Sequence, residues 1–194
     1  VYVVDGAGAT VSGRTKPRLL GLHGSLAPDG TPLLDGYDWD APESGQLVRD
    51  AAGSGARLVR AESFERFDIL PLLVVSDGAL REAGLDVRRL RPNLVVGGVE
   101  GLAERDWQGR ALRVGDAVVQ LANLRERCIV TTYDPDTGAQ DVGVLVDIRR
   151  RFDGVLGLTA WVARPGRVEV GDPVELLDAV EGTAEPGWGR LVAA

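Results

Sequence analysis

Short apolar runs broken by Gly, Pro and Asp recur along this chain, and sustained helical periodicity is rare. Val1–Val4 and Ala9–Ser12 flank the turn Asp5–Gly8, which predicts a hairpin. A basic loop over 13–18 leads into a predicted strand over 19–26, closed by the turn Pro28–Gly30. Helical patterning is confined to three stretches. Residues 42–53 read as a helix with Ser44 as N-cap and Gly53 as stop; Ser76 and Asp77 cap a helix over 78–83 that ends at Gly84. In 140–151, Val144, Leu145 and Ile148 share a helical face. Leu70–Val75 is continuously apolar, the mark of a strand buried on both faces. Further strands are predicted over 56–61, 94–96, 111–114, 117–122, 129–132, 155–163, 167–170 and 173–177. Many short strands with turns at intervals of roughly 8 to 12 residues predict a mainly β fold with short helices, a barrel or a sandwich.

Composition narrows the setting. With 194 residues and 44% hydrophobic side chains, a sizeable core needs no cross-links. The single cysteine, Cys128, cannot form an internal disulfide, a cysteine-built zinc site or an iron–sulfur cluster, which points to a reducing, cytoplasmic setting. No window is long and apolar enough for a membrane span, and no signal-peptide pattern is present. A net charge of −7 argues against a general nucleic-acid binder, though a local basic pocket is compatible with it. The chain has no methionine and opens on Val1, so it is expected to continue upstream.

The candidate chemistry gathers around Arg125–Gly138. Arg125 and Arg127 bring positive charge beside the Cys128 sulfur, and the thiolate is the form that attacks and that binds metals. Cys128 is expected at the start of a strand, Ile129–Thr132, that ends in the rigid turn Asp134–Gly138. Upstream, Arg88, Arg89 and Arg91 crowd before a strand, which calls for an anion or for carboxylates such as Glu100, Glu104 and Asp106. If that backbone is extended, Arg91 and Asn93 point to one face and make a cradle for phosphate or a polar ring. The helix that starts at Ser76 offers unpaired amides to an anion, or is simply capped. Arg14 lies in a basic loop that reads first as solvated, and His23 reads as a structural residue on a strand.

Five stretches taken in order, Arg91-Pro-Asn-Leu-Val-Val96, Glu104-Arg-Asp-Trp-Gln-Gly109, Leu112-Arg-Val-Gly-Asp116, Arg127–Gly138 and Val168-Glu-Val-Gly-Asp-Pro-Val174, resemble the MOSC domain family, the molybdenum-cofactor-sulfurase C-terminal domains that include the amidoxime-reducing components. Residues 1–61, with Ser12-Gly-Arg-Thr-Lys-Pro-Arg-Leu19, are similar to the later part of the β-barrel lobe that precedes this domain. The resemblance implies a partial N-terminal β-barrel lobe over 1–66, a MOSC-type barrel of the pyruvate-kinase-barrel kind over 67–180, and a tail over 181–194. It implies a pyranopterin molybdenum cofactor between the lobes, with Cys128 as ligand to the metal. Arg14, Ser76, Arg91, Asn93 and Arg127 match positions around the cofactor and its phosphate, and Asp134 stands where it can handle protons or serve the turn. The implied activity is reduction of small N-oxygenated or N-hydroxylated molecules, with electrons from a separate redox protein.

The chain departs from the family in two places. No Tyr-Pro-Val-Lys-Ser type motif is present, and the usual Arg-Phe-Arg-Pro-Asn reads Arg89-Leu-Arg-Pro-Asn93. Two other readings use the same residues. Cys128 can form a persulfide and pass sulfur to an acceptor, or the fold can be a binding module with Cys128 an ordinary buried thiol.

Overall fold

A computed structural model describes residues 1–61 and 69–178, so the expected tail over 181–194 and the boundary between 66 and 67 lie outside the described residues. The chain divides into two compact units. The first comprises Val1–Phe64 with Ile129–Val142, and the second Glu65–Cys128 with Gly143–Ala194.

In the first unit the expected hairpin forms. β1 (Tyr2–Val4) pairs antiparallel with β2 (Thr10–Val11), across a turn in which Asp5 N–H donates to the Ala9 carbonyl. β6 (Arg57–Val59) pairs with the other edge of β1. A second small sheet holds β3 (Gly24–Leu26), β4 (Pro32–Leu34) and β5 (Tyr37–Asp38). The strand expected over 19–26 is thus only β3. Pro17 pre-sets φ for a 3-10 turn over Pro17–Gly21, and that turn takes up the earlier leucines.

Helix α1 (Pro42–Ala52) buries Ser44, Val48 and Ala52, spaced four apart along one stripe, and its Val48 and Ala52 pack with Ala56 in the unit's core. Its N-cap is Ala41, with Pro42 in the first turn, rather than Ser44. Ser44 lies inside that turn, where its hydroxyl donates to the Asp38 carbonyl at 2.7 Å.

The second unit is built on a six-stranded, curled sheet, and its short helices make the chain mainly β with few helices, as expected. Its strands are β7 (Leu72–Ser76), β8 (Leu94–Val96), β9 (Ala111–Val114), β10 (Ala117–Glu126), β11 (Val155–Arg164) and β12 (Val174–Leu177), in the order β12-β9-β10-β11-β7-β8. All neighbours are antiparallel except β7 and β8. β7 is the doubly buried strand read from Leu70–Val75. Leu72 and Val74 face one core with Leu112, Leu121 and Leu158, while Leu73 and Val75 face the other with Leu90, Ile148 and Phe152.

The second core is roofed by α2 (Asp77–Ala83), α3 (Val87–Leu90) and α4 (Gly143–Phe152). α2 starts at Ser76 and stops at a left-handed Gly84, and α4 confirms the helical reading of 140–151. Residues 167–170 form no strand. Asp116 N–H donates to the Arg167 carbonyl, and Glu169 N–H turns in to the Asp172 carboxylate, so the segment closes on itself before β12.

Candidate functional site

Cys128 follows the end of β10, and the run after it is not a strand. Ile129–Thr132 forms a 3-10 turn in which Thr132 Oγ1 donates to the Ile129 carbonyl at 2.6 Å, a local bond that competes with extended pairing. Thr131 and Thr132 are buried there. The expected acidic turn does form. Asp134 Oδ1 accepts from Asp136 N–H at 3.1 Å, Thr137 N–H at 2.9 Å and the Thr137 hydroxyl at 3.0 Å. Gly138, at φ 69°, completes the turn by donating to the Asp134 carbonyl.

In the second unit, Arg110 and Arg127 each bury an Nε, but Arg110 pairs with Asp178 whereas, among the described residues, Arg127 meets only backbone carbonyls. Its N–H donates to the Gly154 carbonyl, and its Nη2 donates to the Leu90 carbonyl at the end of α3, at 2.7 Å. Its Nε is buried with no hydrogen-bond partner, and among the described residues no carboxylate pairs with it. Burial pushes the guanidinium down to about 10, repulsion from Arg125 adds to the fall, and attraction to Cys128 opposes it.

Arg91, next to that carbonyl, is not extended. It is the left-handed C-cap of α3, at φ 57° and ψ 49°, so the condition for Arg91 and Asn93 to share a strand face is not met. Asn93 is tied to the start of β7: its Oδ1 accepts from Leu73 N–H at 2.8 Å and its own N–H donates to the Leu73 carbonyl at 2.9 Å. The fold therefore brings Cys128, Arg127 and the Leu90–Arg91 corner into one neighbourhood. Asn93 stands two residues beyond that corner, at the head of β8.

Ser76 lies at the opposite end of β7 from Leu73, roughly 10 Å along the strand. It is fully buried; its hydroxyl donates to Glu104 Oε2 at 2.7 Å and accepts from Ala79 N–H at 2.9 Å. The start of α2 is covered by the chain itself. Asp77 accepts from Gly98 N–H and Val99 N–H and pairs with Arg81, and these bonds hold its carboxyl below the usual range. A Cβ on Gly78 would lie 2.4 Å from the Gly101 carbonyl oxygen. Arg14 belongs to the first unit, in an exposed turn where its N–H donates to Ser12 Oγ at 3.3 Å. Asp134 belongs to that unit as well.

Of the carboxylates expected near the arginine cluster, Glu104 is engaged elsewhere. Glu104 meets Ser76, and Arg88 pairs with Asp86. Two participants escaped the sequence reading. The Leu90 carbonyl is a backbone atom and carries no residue signature, and Glu104 gave only its charge as a signal, not its burial.

The model of a family described as MOSC domain matches residues 74–175. Human mitochondrial amidoxime-reducing component 1 is 32% identical over 129 residues, covering 57% of this chain and 38% of that protein. Human mitochondrial amidoxime reducing component 2 is 30% identical over 126 residues, covering 55% and 37%. The chain thus spans under two fifths of the length of these relatives. Among solved structures, Escherichia coli YiiM aligns with a TM-score of 0.42 at 19% identity, over 60% of this chain and 58% of that one. The Bacillus subtilis YUAD protein aligns with a TM-score of 0.45 at 22% identity, over 59% and 68%.

Proposed function

The chain belongs to the MOSC domain family, and from that premise we propose that it holds a pyranopterin molybdenum cofactor and reduces small N-oxygenated molecules with electrons from a separate redox protein. The observation that carries the reading is the half-buried Arg127 guanidinium. Its Nε is shut off from water with no acceptor, and no carboxylate among the described residues answers its charge, an arrangement that an anion would complete. Beside it stands the one soft ligand of the chain, Cys128.

The residues fit the group. Cys128 would ligate the metal, Arg127 and Arg91 would meet the anionic part of the cofactor, and the Asn93 amide would donate to it while its oxygen holds β7. Arg14, which lies in the first unit, is assigned to the cofactor on the family match alone. Ser76 serves indirectly, by fixing the start of α2 and the buried Glu104. The chemistry such a cofactor supplies when bound is two-electron removal of oxygen from an N–O bond. Asp134 is assigned proton handling on its place in the family motif alone, and its carboxylate also ties its own turn.

The name amidoxime-reducing component, borne by the human relatives, supports the substrate class. The lone cysteine supports a reducing, cytoplasmic compartment. No helix among the described residues is long and apolar enough to cross a membrane.

The test is elemental analysis of protein made in a cofactor-competent host. Near-stoichiometric molybdenum in the wild type, lost in Cys128→Ala and reduced in Arg127→Ala, is the expected result. Wild-type protein without molybdenum sinks the reading.

A further inference from the structure

Of the three register shifts where β10 and β11 pair, one lies at Val118–Val119, and the two that follow toward Cys128 are of opposite sense. Leu121 is opposite Ala160 and Leu124 is opposite Leu158, so Ala122 and Asn123 together face the single residue Thr159. Farther on, Glu126 is opposite Val155, so Leu156 and Gly157 together face Arg125. One added residue turns every following side chain to the other face of a sheet. Both strands show the turn. Leu121 and Leu124 pack against one core although three positions apart, whereas Leu156 and Leu158, two apart, lie in different cores. With Leu124 on the first core's face, Arg125 and Arg127 emerge on the helix-bearing face, where the Arg127 guanidinium meets Leu90.

We propose that Thr159 is a positioning residue for the site: its hydroxyl holds the β10 bulge, and the bulge decides that Arg127 turns toward α3 with Cys128 beside it. Thr159 is buried, at 5% exposure. Its Oγ1 accepts from Asn123 N–H at 3.3 Å and donates to the Asn123 carbonyl at 3.1 Å, so one side chain serves both backbone groups that the bulge takes out of the ladder. The next residue is held as well, because Leu124 N–H donates to Gln108 Oε1 at 3.2 Å. Gly157 keeps the opposing bulge, at φ 76° and with its Cβ position only 2.7 Å from the Val74 carbonyl oxygen. The assignment rests on reading Arg127 and Cys128 as the cofactor-facing pair, but the bulge itself belongs to the chain without cofactor.

Thr159→Val keeps the β-branched shape and removes the hydroxyl, and Thr159→Ser keeps the hydroxyl. Amide hydrogen exchange and alkylation of Cys128 by iodoacetamide, both on metal-free protein, read the local geometry, and thermal melts read the fold. In Thr159→Val the amides of Asn123 and Arg127 are expected to exchange about tenfold faster. The alkylation rate of Cys128 is expected to change about threefold. Amides of Leu112 and Val74 keep their protection, and Thr159→Ser behaves as wild type. Wild-type protection at Arg127 together with wild-type alkylation in Thr159→Val overturns the proposal. Uniform loss of protection across the sheet overturns it too, because that marks a residue important only for folding. The cofactor reading is judged apart from this, by molybdenum in the wild type, and can fail while the Thr159 result stands.

Discussion

Arg127 Nη2 donates to the Leu90 carbonyl oxygen at 2.7 Å while Nε of the same guanidinium is buried without an acceptor. One hydrogen bond thus anchors a cation whose charge is poorly solvated. Its value is pushed down to about 10, chiefly by burial. Above that pH the unfolded chain holds the proton more firmly than the folded one, so this group adds stability as pH rises. Urea unfolding of wild type and Arg127→Met between pH 8 and 11, both on a Cys128→Ser background because that thiol interacts with Arg127, isolates the effect. Wild type is expected to gain about 1 kcal/mol on the variant by pH 11. A gap that is flat with pH contradicts it.

Asn93 separates a structural oxygen from a donor group. Asn93→Ala leaves Leu73 N–H without its acceptor and is expected to cost about 1–2 kcal/mol in urea unfolding. Asn93→Asp keeps an acceptor at that place and holds stability to within about 1 kcal/mol, but sets a negative charge where the cofactor's anionic part is proposed to lie. Its molybdenum content should therefore fall while its unfolding curve barely moves.

Asp134 is tested in the same manner. Asparagine retains an oxygen for the three donors that Asp134 Oδ1 now accepts, so Asp134→Asn should unfold within about 0.5 kcal/mol of wild type. Asp134→Ala is expected to lose about 1–2 kcal/mol. On the stable Asn variant, a fall in turnover of about 100-fold assigns proton delivery to the carboxylate, and unchanged turnover confines Asp134 to the turn.

Ser76 holds both a helix start and a buried carboxylate. Ser76→Ala removes the acceptor of Ala79 N–H and the donor to Glu104 together, with an expected cost of about 2–4 kcal/mol. Glu104→Gln preserves an acceptor for the hydroxyl and should cost about 1 kcal/mol. Equal losses in the two variants would show that the carboxylate, and not the cap, carries the interaction.

Much of the second unit was readable from residue type. The uninterrupted run ending at Val75, the cap at Ser76 and the stop at Gly84 named strand, helix start and helix end. The misses share a cause: local hydrogen bonds overrode propensity. Ile129–Thr132 is β-branched, yet the Thr132 hydroxyl bonds back to Ile129 and winds the segment. Ser44 looks like a cap, but Pro42 starts the helix earlier and Ser44 turns inward to Asp38. At the site, Cys128 and Arg127 stood out as chemistry, whereas their orientation depends on the Leu90 carbonyl and on a bulge, which are properties of backbone register that no residue name encodes.

The paired bulges also constrain how this sequence can vary in length. The extra residue on β10 is cancelled by the extra residue on β11, and pairing is back in step by Glu126 and Val155. Deleting Asn123 alone would exchange core and site side chains along the rest of β10, and deleting Gly157 alone would do the same to one end of β11. Length changes between Leu121 and Cys128 or between Val155 and Ala160 are therefore tolerable only in matched pairs, so these two spacings behave as one heritable unit.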